Sequence, residues 1–421
     1  MRDERHPLLP WVMWGLGAAF YCYGFFQRVA PSVMVADLMR DFAVGATITG
    51  MLSALYFYTY AGLQVPVGLL LDRWGSRRLL AVAAALAALG SALFATAPGL
   101  WPAYLGRLLI GAGAAVTWVG TLNLVAAWFP PKRFAMLSGL TLAMGMAGAI
   151  GGQAPLAAAV SAIGWRGTMW AAAAAALVLA AAIWLLVRDR REGGRQPEAR
   201  PAEAGRGLLA GLRAVLANPQ TWFVGIYGAM LTAPMLSFGG LWGVPYMMAR
   251  YGLERPAAAL SMSTMMVGWA LGAPVAGWFT DHIGRRRLPM LVNSTTALVL
   301  MVALLYLPGL SLPVVHVLLF ATGLFSGGMV LCFATAREHN PAWASGATLG
   351  VVNMTVMSTG AIFQPLIGWV LDRRWDGAME NGARAYSTDA YAAALIVLPA
   401  CLLVGLLSAT MVRETYCRPQ H

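Results

Sequence analysis

Arg28, in the stretch FFQRVAP, and Arg107, in YLGRLLI, are the residues whose type and setting most directly promise chemistry. A guanidinium is planar, permanently charged, and carries paired N–H donors that fit a carboxylate bidentately. Both arginines stand inside long apolar runs, whereas all seventeen Asp and Glu fall between such runs or at their ends. A charge placed in lipid costs a few kcal/mol and is a functional candidate by default. Two positive groups with no acid beside them repel unless an anion from outside offsets them. The expected anion is a carboxylate or other anionic group of a small solute. A structural alternative stands beside this: Arg107 braces helix-1 carbonyls, and Arg28 extends outward toward Asp37 or Asp41.

A second chemistry lies in a repeated stretch. GLLLDRWGSRR (68–78) and GWFTDHIGRRR (277–287) share Gly, Asp, Gly and clustered Arg at a constant offset of 209 residues, close to half of the chain's 421. The glycines permit a tight connection between helices, the arginines suit anionic headgroups, and the Asp can accept from amides at a helix N-terminus. The start of the eleventh helix, near Ala344, is the expected partner of Asp72.

The elements that carry these residues follow from hydropathy. With 59% hydrophobic and only 11% charged residues, the chain reads as a polytopic membrane protein. About 20 apolar residues cross the hydrocarbon as a helix, the form in which one segment satisfies its own backbone groups. Apolar segments at 11–35, 47–71, 79–97, 101–128, 135–160, 165–187, 220–248, 257–280, 288–307, 313–335, 344–371 and 389–412 make twelve spans. The fold class is therefore all-α, two pseudo-symmetric six-helix bundles. They are expected over 1–187 and 219–421, with 188–218 as a cytoplasmic linker. Within that linker, 188–207 is rich in Arg, Glu, Pro and Gly, and LLAGLRAVL (208–216) suits a short helix on the membrane surface.

If both termini are cytoplasmic, the inward segments hold 20 Lys and Arg against seven outward. That bias sets the orientation. It also accounts for the net charge of +12 and removes nucleic acid as the expected partner. On this topology Arg28 lies about 10 Å and Arg107 about 9 Å below the outer surface.

GLLLDRWGSRR resembles the signature loop of the major facilitator superfamily, and GWFTDHIGRRR resembles its second-half copy. The resemblance implies a latch that holds the cytoplasmic side closed, made of Gly68, Asp72, Gly75, Arg77 and Arg78, with Gly277, Asp281, Gly284 and Arg285 as counterparts. Arg107, Gly111 and Gly113 match a further family motif in helix 4, whereas GMAGAIGGQAP (145–155) fits the antiporter pattern less well because Pro155 is displaced. Stretches such as SFGGLWGVPYMM (237–248) and AIFQPLIGWVLD (361–372) are similar to a bacterial branch related to phagosomal amino-acid and lysosomal dipeptide transporters.

The expected function is secondary transport of a small carboxylate-bearing solute, an amino acid, dipeptide or organic acid, across the bacterial inner membrane by alternating access. Arg28 and Arg107 would bind it, and Tyr227, Asn353, Gln364 and His316 could take its amine or hydroxyl end. For each of these polar residues an interhelical hydrogen bond is the equal alternative. Proton coupling needs a titratable group, for which His316 or Asp37 is available, so symport and facilitated diffusion both stay open. No cofactor or metal is expected, and a monomer is. The chain has no metal-spaced His/Asp cluster, no Ser/His/Asp set and no phosphate loop, which argues against an enzyme. Two other readings remain: a copper importer using Met230, Met235, Met262, Met265, Met266 and Cys332, since soft sulfur suits Cu(I), and a membrane sensor that transports nothing.

Overall fold

The computed structural model describes residues 8–189 and 208–420, which are helical apart from connections and one hairpin, Met379–Glu380 paired with Ala383–Arg384. Most of the charged linker, 190–207, lies outside the described residues. Nine described helices are long and apolar enough to cross a membrane, and the bent pair Val35–Phe42 and Ala46–Gly62 adds a tenth if taken as one span. Leu9–Val29 and the shorter apolar Met136–Gly151 fall at two more of the expected segments.

The duplication seen in the sequence is present in the elements. Ala46 and Arg255, which open the second helix of each half, are again 209 residues apart. So are Gly75 (φ 75°) and Gly284 (φ 63°), the left-handed glycines of the two repeated stretches. Both φ values lie where only a residue without Cβ sits unstrained.

Three expectations about segment ends need correction. The run 11–35 is not one helix: the α-helix ends at Val29, a 3-10 turn covers Ala30–Val33, and Val35–Phe42 is a separate short helix. Pro31 is the cause, since it has no N–H to return to the carbonyl four residues back. The connection between spans 2 and 3 is shorter than expected: within Gln64–Thr96 two helices meet at Gly75, whose φ of 75° and ψ of 167° are not helical. The 135–160 run breaks at Gly152 and Gln153, and the next helix, Ala154–Leu186, kinks at Gly164 (φ 72°).

By packing, the chain divides into two units: Met1–Met34 with Leu55–Pro197, and Val35–Ala54 with Glu198–His421. This is not a single cut at the linker, because Val35–Ala54 is grouped with the later residues. In the first unit Gly148 approaches the Cys22 carbonyl, and Gly90 and Gly106 face each other's backbones. In the second, Gly268, Gly272 and Gly323 let Arg255–Ile283 and Leu312–Ser326 meet backbone to backbone. Small residues serve this purpose because lipid supplies no hydrophobic drive between helices. The segment Leu208–Ala217 is helical, and Val215 packs against Ala344 and Val351.

Candidate functional site: a buried arginine in an aromatic cage

Arg28 is the penultimate residue of the helix Leu9–Val29 and is 5% exposed. Its guanidinium carbon lies 4.1 Å from the Phe25 ring centre, 5.1 Å from that of Tyr60 and 5.8 Å from that of Tyr56. Helical spacing explains the set: Phe25 is one turn before Arg28, and Tyr56 and Tyr60 are one turn apart on a neighbouring helix. The Tyr56 and Tyr60 rings stack at 5.9 Å. No carboxylate pairs with Arg28 among the described residues, and its Nε has no hydrogen-bond partner there. Neither Asp37 nor Asp41 receives it, since Asp37 pairs with Arg255 and Arg40, and Asp41 with Arg40.

Arg107 lies against the same Tyr56 ring, 5.5 Å from its centre, and is 1% exposed. Its Nη1 donates to the Gln27 carbonyl at 3.1 Å. That is the carbonyl which Pro31 deprives of its helical donor, so Arg107 repairs a gap that proline opened. The structural alternative raised by the sequence is thus observed for this contact. Gln27 itself is fully buried and donates from Nε2 to Tyr23 Oη at 2.6 Å and Ser91 Oγ at 2.9 Å. Its Oε1 has no partner among the described residues. Sequence reasoning missed Gln27, Tyr23 and Ser91; Tyr56 and Tyr60 belong to the aromatic run LYFYTY (55–60).

The remaining expected solute-binding residues all fall in the second unit. Tyr227 is buried and donates to the Gly328 carbonyl at 2.9 Å. His316 is half-buried with Nε2 at 3.0 Å from Ser261 Oγ. These are interhelical bonds of the bland kind. Asn353 is half-buried on Ser345–Arg373. Gln364, fully buried on the same helix, donates from Nε2 to the Leu236 carbonyl at 2.7 Å.

The residues of the two repeated stretches fall into two parallel arrangements. The Asp72 side chain lies outside the described residues, while Gly68 and Gly277 face open space. After the Gly75 kink, the Arg77 amide donates to Asp189 at 2.7 Å, and Arg77 Nε donates to the Trp184 carbonyl. Arg78 is exposed. In the second copy the amides of Arg286 and Arg287 donate to Glu414 at 2.7 and 3.0 Å. An acid just beyond the last helix of each half therefore caps the third helix of that half. The ion-pairing arginine of the copy is Arg286, the residue 209 beyond Arg77, and not Arg285: it bonds Glu338 and Asp281, each at 2.7 Å. Burial would raise the Glu414 carboxyl, but the surrounding backbone N–H donors outweigh it and hold that group below its usual range.

An internally duplicated set of long apolar helices, holding a cation among aromatic rings, has the make-up of a membrane carrier. The Major Facilitator Superfamily profile matches residues 16–365, and the chain belongs to that superfamily. Membrane sensor protein UhpC of Escherichia coli is 25% identical, over 94% of this chain and 92% of its own. Monocarboxylate transporter 11 of Homo sapiens is 30% identical, over 65% of this chain and 56% of its own. A crystal structure of a bacterial homolog of the human lysosomal transporter Spinster, inward-facing and unoccupied, covers 96% of both chains with a TM-score of 0.79. At 17% identity that likeness is one of fold.

Proposed function

We propose that the protein is a secondary transporter of the bacterial inner membrane, both termini cytoplasmic, that moves a small carboxylate-bearing organic solute by alternating access. Residues 1–187 and 219–421 act as its two bundles and 188–218 as their linker. The observation that carries this is the Arg28 guanidinium, buried against three aromatic rings with no carboxylate of its own. Ring faces contribute about 0.5–2 kcal/mol each to a desolvated cation. They leave its Nε without an acceptor among the described residues. A carboxylate arriving at Arg28 supplies both charge and acceptors. The name of the human relative, a monocarboxylate transporter, agrees with that substrate class.

The test is uptake of a carboxylate panel by proteoliposomes. Arg28→Gln lowers uptake roughly tenfold to a hundredfold, the range for a lost charged hydrogen bond. Arg28→Lys, which keeps the charge but loses the fork, also falls well below wild type. Normal transport by both variants overturns the proposal.

The match to UhpC over nearly the whole chain favours a second reading, a sensor that binds the solute without moving it. Ligand-induced stabilisation of the purified protein with no flux in proteoliposomes is its expected signature.

A further inference from the structure

Three of the candidate spans have ends that meet in the second unit: Pro219–Tyr251 begins there, and Leu312–His339 and Thr388–Met411 finish there. These ends enclose a cleft of about 530 Å³, whose lining includes Ala217, Asn218, Gln220, His339, Asn340 and Arg413. That volume falls within the range of about 300–1,000 Å³ usual for small-ligand sites. Arg413 directly precedes Glu414, the acid that caps the second repeated stretch, so the cleft lies at that end of the unit. On the proposed topology this is the cytoplasmic surface of the membrane.

The walls are tied together by carboxamides. Asn218 Nδ2 donates to the His339 carbonyl at 2.7 Å and to Asn340 Oδ1 at 3.2 Å, while its Oδ1 accepts from the Gln220 backbone N–H at 3.0 Å. Gln220 Nε2 donates to the Met411 carbonyl at 3.3 Å, and its Oε1 accepts from the Arg413 backbone N–H at 2.8 Å. Asn340 Nδ2 donates to Thr221 Oγ1 and to the Ala336 carbonyl, at 2.9 Å each. These amides hold the three span ends in place and leave recognition to the ionisable groups. His339 is buried, and its Nδ1 lies 2.9 Å from the Thr335 carbonyl, which makes Nδ1 the protonated nitrogen. A second proton on that ring turns Nε2 into a donor as well. The Arg413 side chain is exposed, and its guanidinium makes no hydrogen bond or ion pair among the described residues. No Asp or Glu lines the cleft among those residues.

A guanidinium with no partner, at a cleft without acids, attracts an anion, and its fork fits phosphate as well as carboxylate. Depth decides between the two. The cleft stands where apolar helices end, at the level of the lipid headgroups, and basic pockets between helices on the cytoplasmic side suit phosphate headgroups. We infer that the cleft bounded by Asn218, His339 and Arg413 is a phosphate-binding site with Arg413 as its cation, filled by the headgroup of an anionic phospholipid or by a soluble phosphate ester. Arg28 belongs to the first unit, and no solute of the transport reaction is invoked here. The test reads binding and not flux, so it succeeds or fails independently of the transport reading.

The experiment follows the melting temperature of the purified full-length protein in an uncharged detergent and a phosphate-free buffer. The probes are dioctanoyl phosphatidylglycerol, dioctanoylglycerol, which lacks the phosphate, and glycerol 3-phosphate, which lacks the acyl chains. A ligand that binds the folded protein raises its melting temperature with concentration. Wild type is stabilised by at least one of the two phosphate compounds and not by dioctanoylglycerol. Stabilisation by the lipid at far lower concentration than by glycerol 3-phosphate names a headgroup as the occupant, and the reverse order or parity names a soluble ester. Arg413→Gln weakens the apparent affinity about tenfold or more, the loss of a charged hydrogen bond, and leaves the ligand-free melting temperature unchanged. Ala217→Trp fills the cleft from an exposed position without altering charge, and weakens binding as well. Arg337→Gln removes the same charge from an exposed residue outside the cleft lining, and keeps the wild-type affinity. The inference is overturned by stabilisation with dioctanoylglycerol equal to that with the phospholipid, by no response to either phosphate compound, by undiminished affinity in Arg413→Gln, or by equal losses in Arg413→Gln and Arg337→Gln.

Discussion

At the scale of single residues, Tyr56 joins the two buried cations. Arg28 and Arg107 each lie within 6 Å of its ring centre, and its hydroxyl donates to the Gly24 carbonyl at 3.0 Å. The ring and the hydroxyl therefore do separable things. Tyr56→Phe keeps the face that attracts both guanidinium groups and loses the hydroxyl's hydrogen bonds to the Gly24 carbonyl and with Arg28, worth about 1 kcal/mol or more. Tyr56→Leu removes the face as well, at about 1–2 kcal/mol for each desolvated cation. The expected order in both melting temperature and carboxylate uptake is wild type, then Phe close behind, then Leu far below. Equal behaviour of the two variants would show that the ring has no part in holding the cations.

At the scale of elements, each half closes its third helix with an acid from beyond its last helix, Asp189 in one and Glu414 in the other. An N-terminal cap of this kind contributes about 0.5–2 kcal/mol. Because the folded protein holds Glu414 below its ordinary range, its contribution is fully present above the unfolded carboxyl's pKa of about 4.3. It is lost as pH falls through the depressed value. Glu414→Gln thus melts below wild type at pH 7, and the gap closes as the buffer is taken below about pH 4. A gap that stays constant down to that pH would assign the loss to packing and not to charge.

At the scale of the whole molecule, the packing boundary passes through one helix, between Ala54 and Leu55 of Ala46–Gly62. What fastens Val35–Ala54 to the later residues is visible around Asp372. Its carboxylate accepts from the amides of Ala46 and Thr47 at 3.0 and 2.8 Å, from Thr47 Oγ1 and Tyr386 Oη at 2.6 Å each, and pairs with Arg384. Gly50 permits the approach, since a Cβ there would lie 2.6 Å from the Gln364 carbonyl oxygen. Asp372→Asn keeps the shape but loses the charge that strengthens these bonds. Amide exchange at Ala46 and Thr47 is expected to quicken by about tenfold or more, while amides of Leu100–Trp128 keep their protection. Unchanged exchange at Ala46 and Thr47 would move the fastening to the Gly50 contact alone.

Twelve apolar runs, the offset of 209 and two arginines in lipid-length segments were all readable from the chain, because hydropathy and repetition are local properties of sequence. Pro31 also announced a break, although only its consequence in space, the donorless Gln27 carbonyl taken up by Arg107, gave that break a use. The capping acids could not be read in advance, since Asp189 and Glu414 stand 112 and 128 residues from the amides they receive. The same holds for the ring set around Arg28. Sequence determined which segments are apolar enough to cross a membrane and which charges stand among them. Which of those polar groups already have partners was decided by tertiary packing, because a hydrogen bond depends on angstroms that residue spacing does not encode.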